Sequence, residues 1–180
     1  RTGYGRLWPH LHEGEGHFVA LLEKLADGHE NPADSVFSAG SSVLSEPPEG
    51  YREFEAENLN IKLQGPFYLH HEKLYKCPAG LPPTKGLRVI RSGWYLGEFK
   101  NDRFVPSGAL AMGLKCSDAR RVIRFSANQF EVIRYLKGET LNAEGEAGLN
   151  LICVEDYPLG WGKLHQGILK NQYPPAWRML

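Results

Sequence analysis

Residues 156–177, DYPLGWGKLHQGILKNQYPPAW, contain Gly160, Gly162 and Gly167 together with Pro158, Pro174 and Pro175. Proline removes an amide donor and interior glycine weakens a helix by about 1 kcal/mol relative to alanine, so no helix runs through this stretch. Glycine inside a strand pattern marks bulges or close backbone approach, as in a small curved barrel. The same residues interleave Tyr157, Trp161, Tyr173 and Trp177 with Lys163 and Lys170. Aromatics and cations among turn-formers suit the closing strands of a barrel. They equally suit a surface on which bases stack and phosphates dock. Both can hold together.

The rest of the pattern is also mainly β. Short runs bounded by turn residues lie at 59–63, 67–70, 74–77, 87–91 and 94–100, and WYLGEFKNDRFV reads as a hairpin turning at 100–102. Beyond Cys116, RVIRF and LNLICV are strand candidates, Glu155-Asp156 is a turn, and LGWGKLHQGIL is an interrupted strand. Three short helices are expected. YREFEAENL sets Tyr51, Phe54 and Asn58 on one face, and PSGALAMGL starts with Pro106 and Ser107. SANQFEVIRYLKG has a capping box, Ser126 with Gln129, and a stop at Gly138. The pattern is therefore α+β, mainly β with short helices, and 180 residues suit one ordinary domain or two small mainly-β domains with short helices.

The leader differs. RLWPHLHEGEGHFVALLEK gives two apolar runs around a Gly-Glu-Gly turn, and residues 18–22 suit a strand buried on both faces of a larger sheet. From 26 to 50 the composition shifts to Asp, Glu, Asn, Ser, Pro and Gly, which reads as a mobile linker. The chain lacks an initiator methionine and starts within aromatic-rich RTGYGRLWPH, as an excised piece of a longer protein would.

Hydrophobic content of 42% and charged content of 23% are ordinary for a soluble globular protein. No apolar run reaches the roughly 18 residues of a membrane helix, and no membrane partner or signal peptide is expected. Cys77, Cys116 and Cys153 are odd in number and widely spaced, which suits reduced thiols in the cytoplasm. The formal net charge is zero but unevenly placed. Residues 1–58 hold 4 basic against 11 acidic side chains, 59–115 hold 9 against 3, and 116–180 hold 8 against 7. A basic middle beside an acidic leader suits a polyanion-binding face, or simple attraction between the two parts.

Compact catalytic motifs are missing. His10, His12, His17 and the His70-His71 pair lack metal-ligand spacing, and adjacent histidines in a strand would point to opposite faces. Cys116, near Arg120 and Arg121, could be a nucleophile, although a lone cysteine between helix and strand is more often a packing residue. No glycine-rich nucleotide loop is present, and PAGLPPTKG suits a connector or an RNA-facing loop equally. What remains is distributed. Lys62, Lys73, Lys76, Lys85, Arg88, Arg91, Lys100 and Arg103 form the basic middle, and Arg120, Arg121, Arg124, Arg134 and Lys137 flank the capped helix.

RLWPHLHEGEGHFVALLEK resembles the closing hairpin of the methyltransferase domain in RsmF-type enzymes, of the Sun/nucleolar-protein family of RNA (cytosine-5) methyltransferases. GLRVIRSGWYLGEFKNDRFVPSGALAMGL resembles their first C-terminal domain. YLKGETL and DYPLGWGKLHQGILKNQYPPAWR resemble their PUA-like RNA-binding domain, a pseudo-barrel. The resemblance implies four parts: a last methyltransferase hairpin at 1–25, a linker at 26–50, the first C-terminal domain at 51–115 and the PUA-like domain at 116–180.

It also implies a parent enzyme that uses S-adenosylmethionine, with a cysteine thiolate attacking C6 of a cytosine in ribosomal or transfer RNA. The motifs for that chemistry are not carried over, and Cys116-Ser117, preceded by Lys115, is not their Thr-Cys-Ser. No cofactor is expected in this chain. Lys163, Lys170, Asn171 and Arg178 are expected to face RNA, with Trp161, Tyr157, Arg134, Lys137, Lys100 and Arg103 completing the contact set. Expected partners are RNA and the protein's own N-terminal catalytic domain, with self-association through residues 1–25 if their strand is left unpaired. The alternative is a structural module that docks on that domain, with RNA binding incidental.

Overall fold

The computed structural model describes residues 4–8, 10–11, 16–20, 41–78 and 93–179. The strand expected at 87–91, nearly all of the 78–86 loop, His12, Leu21, Leu22 and residues 26–40 of the expected linker lie outside these. The chain forms two compact units, Arg1–Asp34 and Ser35–Leu180. No helix among the described residues is long and apolar enough to cross a membrane.

In the first unit, strand β1 (Tyr4–Leu7) pairs antiparallel with β2 (His17–Ala20), with Arg6 opposite Phe18. The Arg6 guanidinium stands 4.7 Å from the Trp8 ring centroid and 5.4 Å from that of Phe18. Leu7, Trp8, Leu11 and Val19 are exposed. A two-stranded ribbon by itself buries little apolar surface.

The second unit begins with an antiparallel meander: β3 (Ser41–Leu44), β4 (Phe67–His70), β5 (Lys73–Lys76), β6 (Trp94–Lys100) and β7 (Arg103–Pro106), adjacent in that order. Strand β3 falls inside the stretch read as a linker, because main-chain pairing with β4 at the sheet edge accepts its serines. Helix α1 (Glu49–Asn58) buries Tyr51, Phe54, Glu55 and Asn58, a stripe at i, i+3, i+4 and i+7. Glu55 and Asn58 in the stripe are satisfied. Glu55 accepts from Arg52 at 2.5 Å and from the Leu63 amide at 2.7 Å, and Asn58 accepts from Arg121 at 2.8 Å.

The strand expected at 59–63 does not form, and only Leu59 bridges, to Ala119. The Asn60 side chain instead clasps the carbonyls of Ser117 and Ala119 at 3.1 and 3.0 Å, while the Glu55 bond folds Leu63 back on α1. The β6–β7 hairpin turns at Asn101 and Asp102, with φ of 48° and 60°. His71 also sits in a turn, at φ 52°, so the two histidine rings meet edge-on at 4.4 Å rather than facing opposite ways. Helix α2 (Gly108–Gly113) is capped by Ser107, whose hydroxyl accepts from the Leu110 amide at 2.9 Å.

The second sheet is a curled half-barrel ordered β8 (Val122–Phe125), β10 (Gly148–Val154), β11 (Tyr157–His165), β12 (Ile168–Asn171) and β9 (Leu141–Asn142). Only β8 and β10 run parallel. Helix α3 (Phe130–Leu136) starts after the expected cap. Gln129 accepts from the Ser126 amide at 2.7 Å, but residues 127–128 turn before the helix begins. The interrupted strand is in fact the β11–β12 hairpin, turned at Gln166-Gly167 with φ of 49° and 78°. Gly160 lies beneath Tyr135, whose hydroxyl would stand 2.5 Å from a Cβ there.

The concave face of the half-barrel packs Ile123, Phe125, Val132, Tyr135, Leu141, Ile152, Leu164 and Leu169. The opposite face of β10 and β11 presents Leu151, Cys153 and Trp161 to a core shared with Tyr51, Phe54, Phe67, Leu74, Leu96 and Leu110. The two small β layers with their short helices are therefore joined through one apolar layer. Cys116 and Cys153 form a disulfide within it, a correction to the expectation of reduced thiols. The 3-10 turn Cys116–Asp118 after α2 delivers Cys116 to β10, which also removes it as a candidate nucleophile.

Candidate nucleic-acid interface

The β11–β12 register places Lys163 directly opposite Lys170, flanked by the Leu164–Leu169 pair. Both leucines are buried in the barrel core, so a one-residue slip would bury the lysines, and the register is held. Like charges directly opposite one another cost stability. Neither lysine forms an ion pair among the described residues. The fold thus holds two uncompensated cations side by side on an open surface.

Their position is set by the shared core. Trp161, two residues before Lys163 on the same face of β11, is 2% exposed beneath the first layer. Leu149, paired with Lys163 across β10, packs at the edge of that core. On the other side of Lys163 the face opens to exposed His165 and Ile168. The lysine pair marks the line where the covered half of the sheet becomes solvent-facing.

The other sequence candidates divide. Arg178 is exposed and lies over Gly138, and the tail is tied down by the Met179 amide bonding to the Leu136 carbonyl at 3.0 Å. Tyr157 is 77% exposed and Lys137 is exposed. Arg134 is engaged by Glu139 at 2.7 Å and by the Thr140 carbonyl.

Two candidates are corrected. Trp161 donates to the Ser107 carbonyl at 2.9 Å from within the core, where no base can stack on it. The Asn171 amide donates to the carbonyls of Tyr135 and Glu139 at 2.7 and 3.1 Å and accepts from the Tyr173 amide at 2.7 Å, which leaves it a bracing role. Arg121 is likewise locked, onto Asn58 and the Leu149 carbonyl.

Lys100 and Arg103 stand opposite each other beside the β6–β7 turn, and Lys100 pairs with Glu98 at 2.6 Å. That hydrogen bond with Glu98 raises the Lys100 pKa. The turn abuts the start of α1, where the Asp102 carbonyl lies near Gly50, so the candidates do not form one cluster.

The sequence reading missed a second cationic place, an open cleft of about 560 Å3 beside α1 with Lys62 and Arg120 on its walls. Burial of Leu59 and the Asn60 clasp bring these two residues together, although they are far apart in the chain. No short motif could have signalled that. Among the described residues no group of histidines, cysteines or carboxylates could hold a metal.

Residues 53–114 match the RsmF rRNA methyltransferase first C-terminal domain, and residues 122–179 match the methyltransferase RsmF PUA domain. The chain belongs to the RsmF methyltransferase family through these C-terminal domains. Relatives named ribosomal RNA small subunit methyltransferase F share 25% identity in Erwinia tasmaniensis, 30% in Aeromonas salmonicida and 24% in Shewanella loihica. Each alignment covers 96% of this chain, which spans 36–37% of the relative's own length. The lysine pair lies in the RsmF PUA domain, and the shared core joins that domain to the first.

Proposed function

We propose that this chain is the RNA-binding module of an S-adenosylmethionine-dependent ribosomal RNA (cytosine-5) methyltransferase. It grips structured RNA and presents it to a catalytic domain occupying the further length found in its relatives. The uncompensated Lys163–Lys170 pair carries this reading. A fold that tolerates opposed cations on an open sheet gains from them when phosphates supply the countercharge. Arg178, Lys137 and Tyr157, all exposed, extend the contact around the barrel. The shared core lets both domains meet the RNA as one rigid body.

The cofactor's chemistry belongs to the catalytic domain. Exposed Leu7, Trp8, Leu11 and Val19 on the β1–β2 hairpin support docking of the first unit on that catalytic domain. A cytoplasmic location follows from such a role in bacteria.

The test is a titration against small-subunit ribosomal RNA and tRNA transcripts at two salt concentrations, beside the triple change Lys163→Ala, Lys170→Ala and Arg178→Ala. Salt-sensitive binding that the triple change weakens is the expected result. Absence of binding at low salt would leave the docking role.

A further inference from the structure

Beyond the barrel lysines, we infer a second RNA subsite: the cleft beside α1 receives one unpaired nucleotide, its base inside and its phosphate on Lys62 and Arg120. The inference rests on the RNA-binding reading and deepens it.

The cleft has an apolar floor, supplied by Leu59, Ile61 and Ala56, and three cationic side chains, Arg52, Lys62 and Arg120. The cations are not equivalent. Arg52 donates from Nη1 to Glu55 at 2.5 Å and to the Leu63 carbonyl at 3.2 Å, and from Nη2 to Glu46. These bonds use its edge and fix its plane. The Phe67 ring, 5.6 Å from the guanidinium carbon, adds a cation–π contact. A guanidinium held in this way has little left to offer a phosphate, but its planar face is the kind of surface on which an unstacked base rests.

Lys62 and Arg120 have the opposite character. Lys62 is exposed and makes no ion pair among the described residues. Among the described residues Arg120 donates through Nε alone, to the Leu59 carbonyl at 3.1 Å, so both terminal nitrogens remain for a ligand. Of the carboxylates lining the cleft, Glu55 is held by Arg52, and Glu46 by Arg52 with the charge of Lys62 acting on it as well. Three cations thus face two carboxylates, and the surplus favours an anion.

The frame is rigid. The Asn60 amide bonds the Asp118 carbonyl at 2.8 Å, and the Arg120 amide bonds the Asn58 carbonyl at 2.9 Å, pinning the cleft wall where the two domains meet. Apolar floor, fixed planar cation and free phosphate donors match one nucleotide of a loop or bulge. A duplex, whose bases are already stacked, offers no such group.

The test uses this chain and a stem-loop RNA carrying a photoreactive base in its loop. Lys62→Glu reverses a rim charge, and Ala56→Phe fills the cleft from an exposed position on α1. Each is expected to weaken stem-loop binding roughly tenfold, as loss of one stacked and docked nucleotide would, with the melting temperature unchanged. Cross-links are expected on residues 52–62 or Arg120. If Lys163→Ala with Lys170→Ala weakens binding while both cleft variants bind like wild type, the subsite is overturned and the barrel reading stands. Cross-links confined to β11 and β12 would overturn it in the same way. If the wild-type chain binds no RNA, both readings fall.

Discussion

Trp161 Nε1 donates to the Ser107 carbonyl at 2.9 Å, joining the PUA domain to the residue that caps α2 in the first C-terminal domain. Phe54 of α1 meets the indole edge-on, with ring centroids 6.2 Å apart. A side chain of the PUA domain therefore lies in the core shared with the first domain, and the two domains should unfold as one. Trp161→Ala is expected to cost about 3–5 kcal/mol, and Trp161→Phe about 0.5–1.5 kcal/mol through the lost hydrogen bond, since the Ser107 carbonyl keeps the Ala111 amide at 3.3 Å. Urea unfolding followed by reporters in each domain checks this. Two separate midpoints in the wild type would contradict the shared core.

The Cys116–Cys153 disulfide closes a separation of 37 residues across the same boundary. Loop-closure entropy for such a span corresponds to about 4 kcal/mol of stability. Reductant is expected to lower the urea midpoint accordingly. In denaturant without reductant the chain should titrate one thiol, from Cys77, and three after reduction. Three reactive thiols before reduction would remove the bond and this prediction with it.

Much of the fold was legible. Tyr51, Phe54 and Asn58 share the buried stripe of α1 as their spacing required, and the glycines of 156–177 marked a curled sheet. What was not legible depends on long-range packing. Nothing local distinguishes Trp161, sealed under a second domain, from Tyr157, left in solvent four residues earlier. Asn171 read as a polar surface residue, yet its partners lie 32 and 36 residues away. Lys163 and Lys170 are reached through their interleaving with aromatics and the resemblance of 156–178 to PUA-like domains, whereas the Arg120 cleft depends on packing between distant segments.

The Lys163–Lys170 pair trades stability for binding. Lys170→Glu replaces cross-strand repulsion with attraction and is expected to stabilise the fold by about 0.2–1 kcal/mol while weakening RNA binding. Lys163→Ala with Lys170→Ala should reduce the slope of log affinity against log salt by roughly 1.5–2, one phosphate contact per lysine. Parallel thermal melts and titrations at several salt concentrations decide. An unchanged slope would place the RNA elsewhere on the chain.

Alkaline pH should unfold the protein through its buried phenols. Burial pushes Tyr51 and Tyr135 well above the usual tyrosine range, with the charge of Glu55 adding to the effect at Tyr51 and Tyr173 adding at Tyr135. Burial, then the charge of Glu98, pushes Tyr95 up to about 12. In the unfolded chain these groups ionise near pH 10, so above that pH the unfolded state has released protons that the folded state keeps. The stabilising contribution is complete below about pH 10 and is lost as pH rises through about 12. Tyrosinate absorbance of the folded chain should lag that of urea-unfolded chain in this window, then rise cooperatively with loss of structure. Tyr135 also donates to the Trp161 carbonyl at 2.9 Å, so Tyr135→Phe should flatten the alkaline slope while lowering stability at neutral pH. Full ionisation of every tyrosine before any structural transition would show that the barrel does not hold its phenols as described.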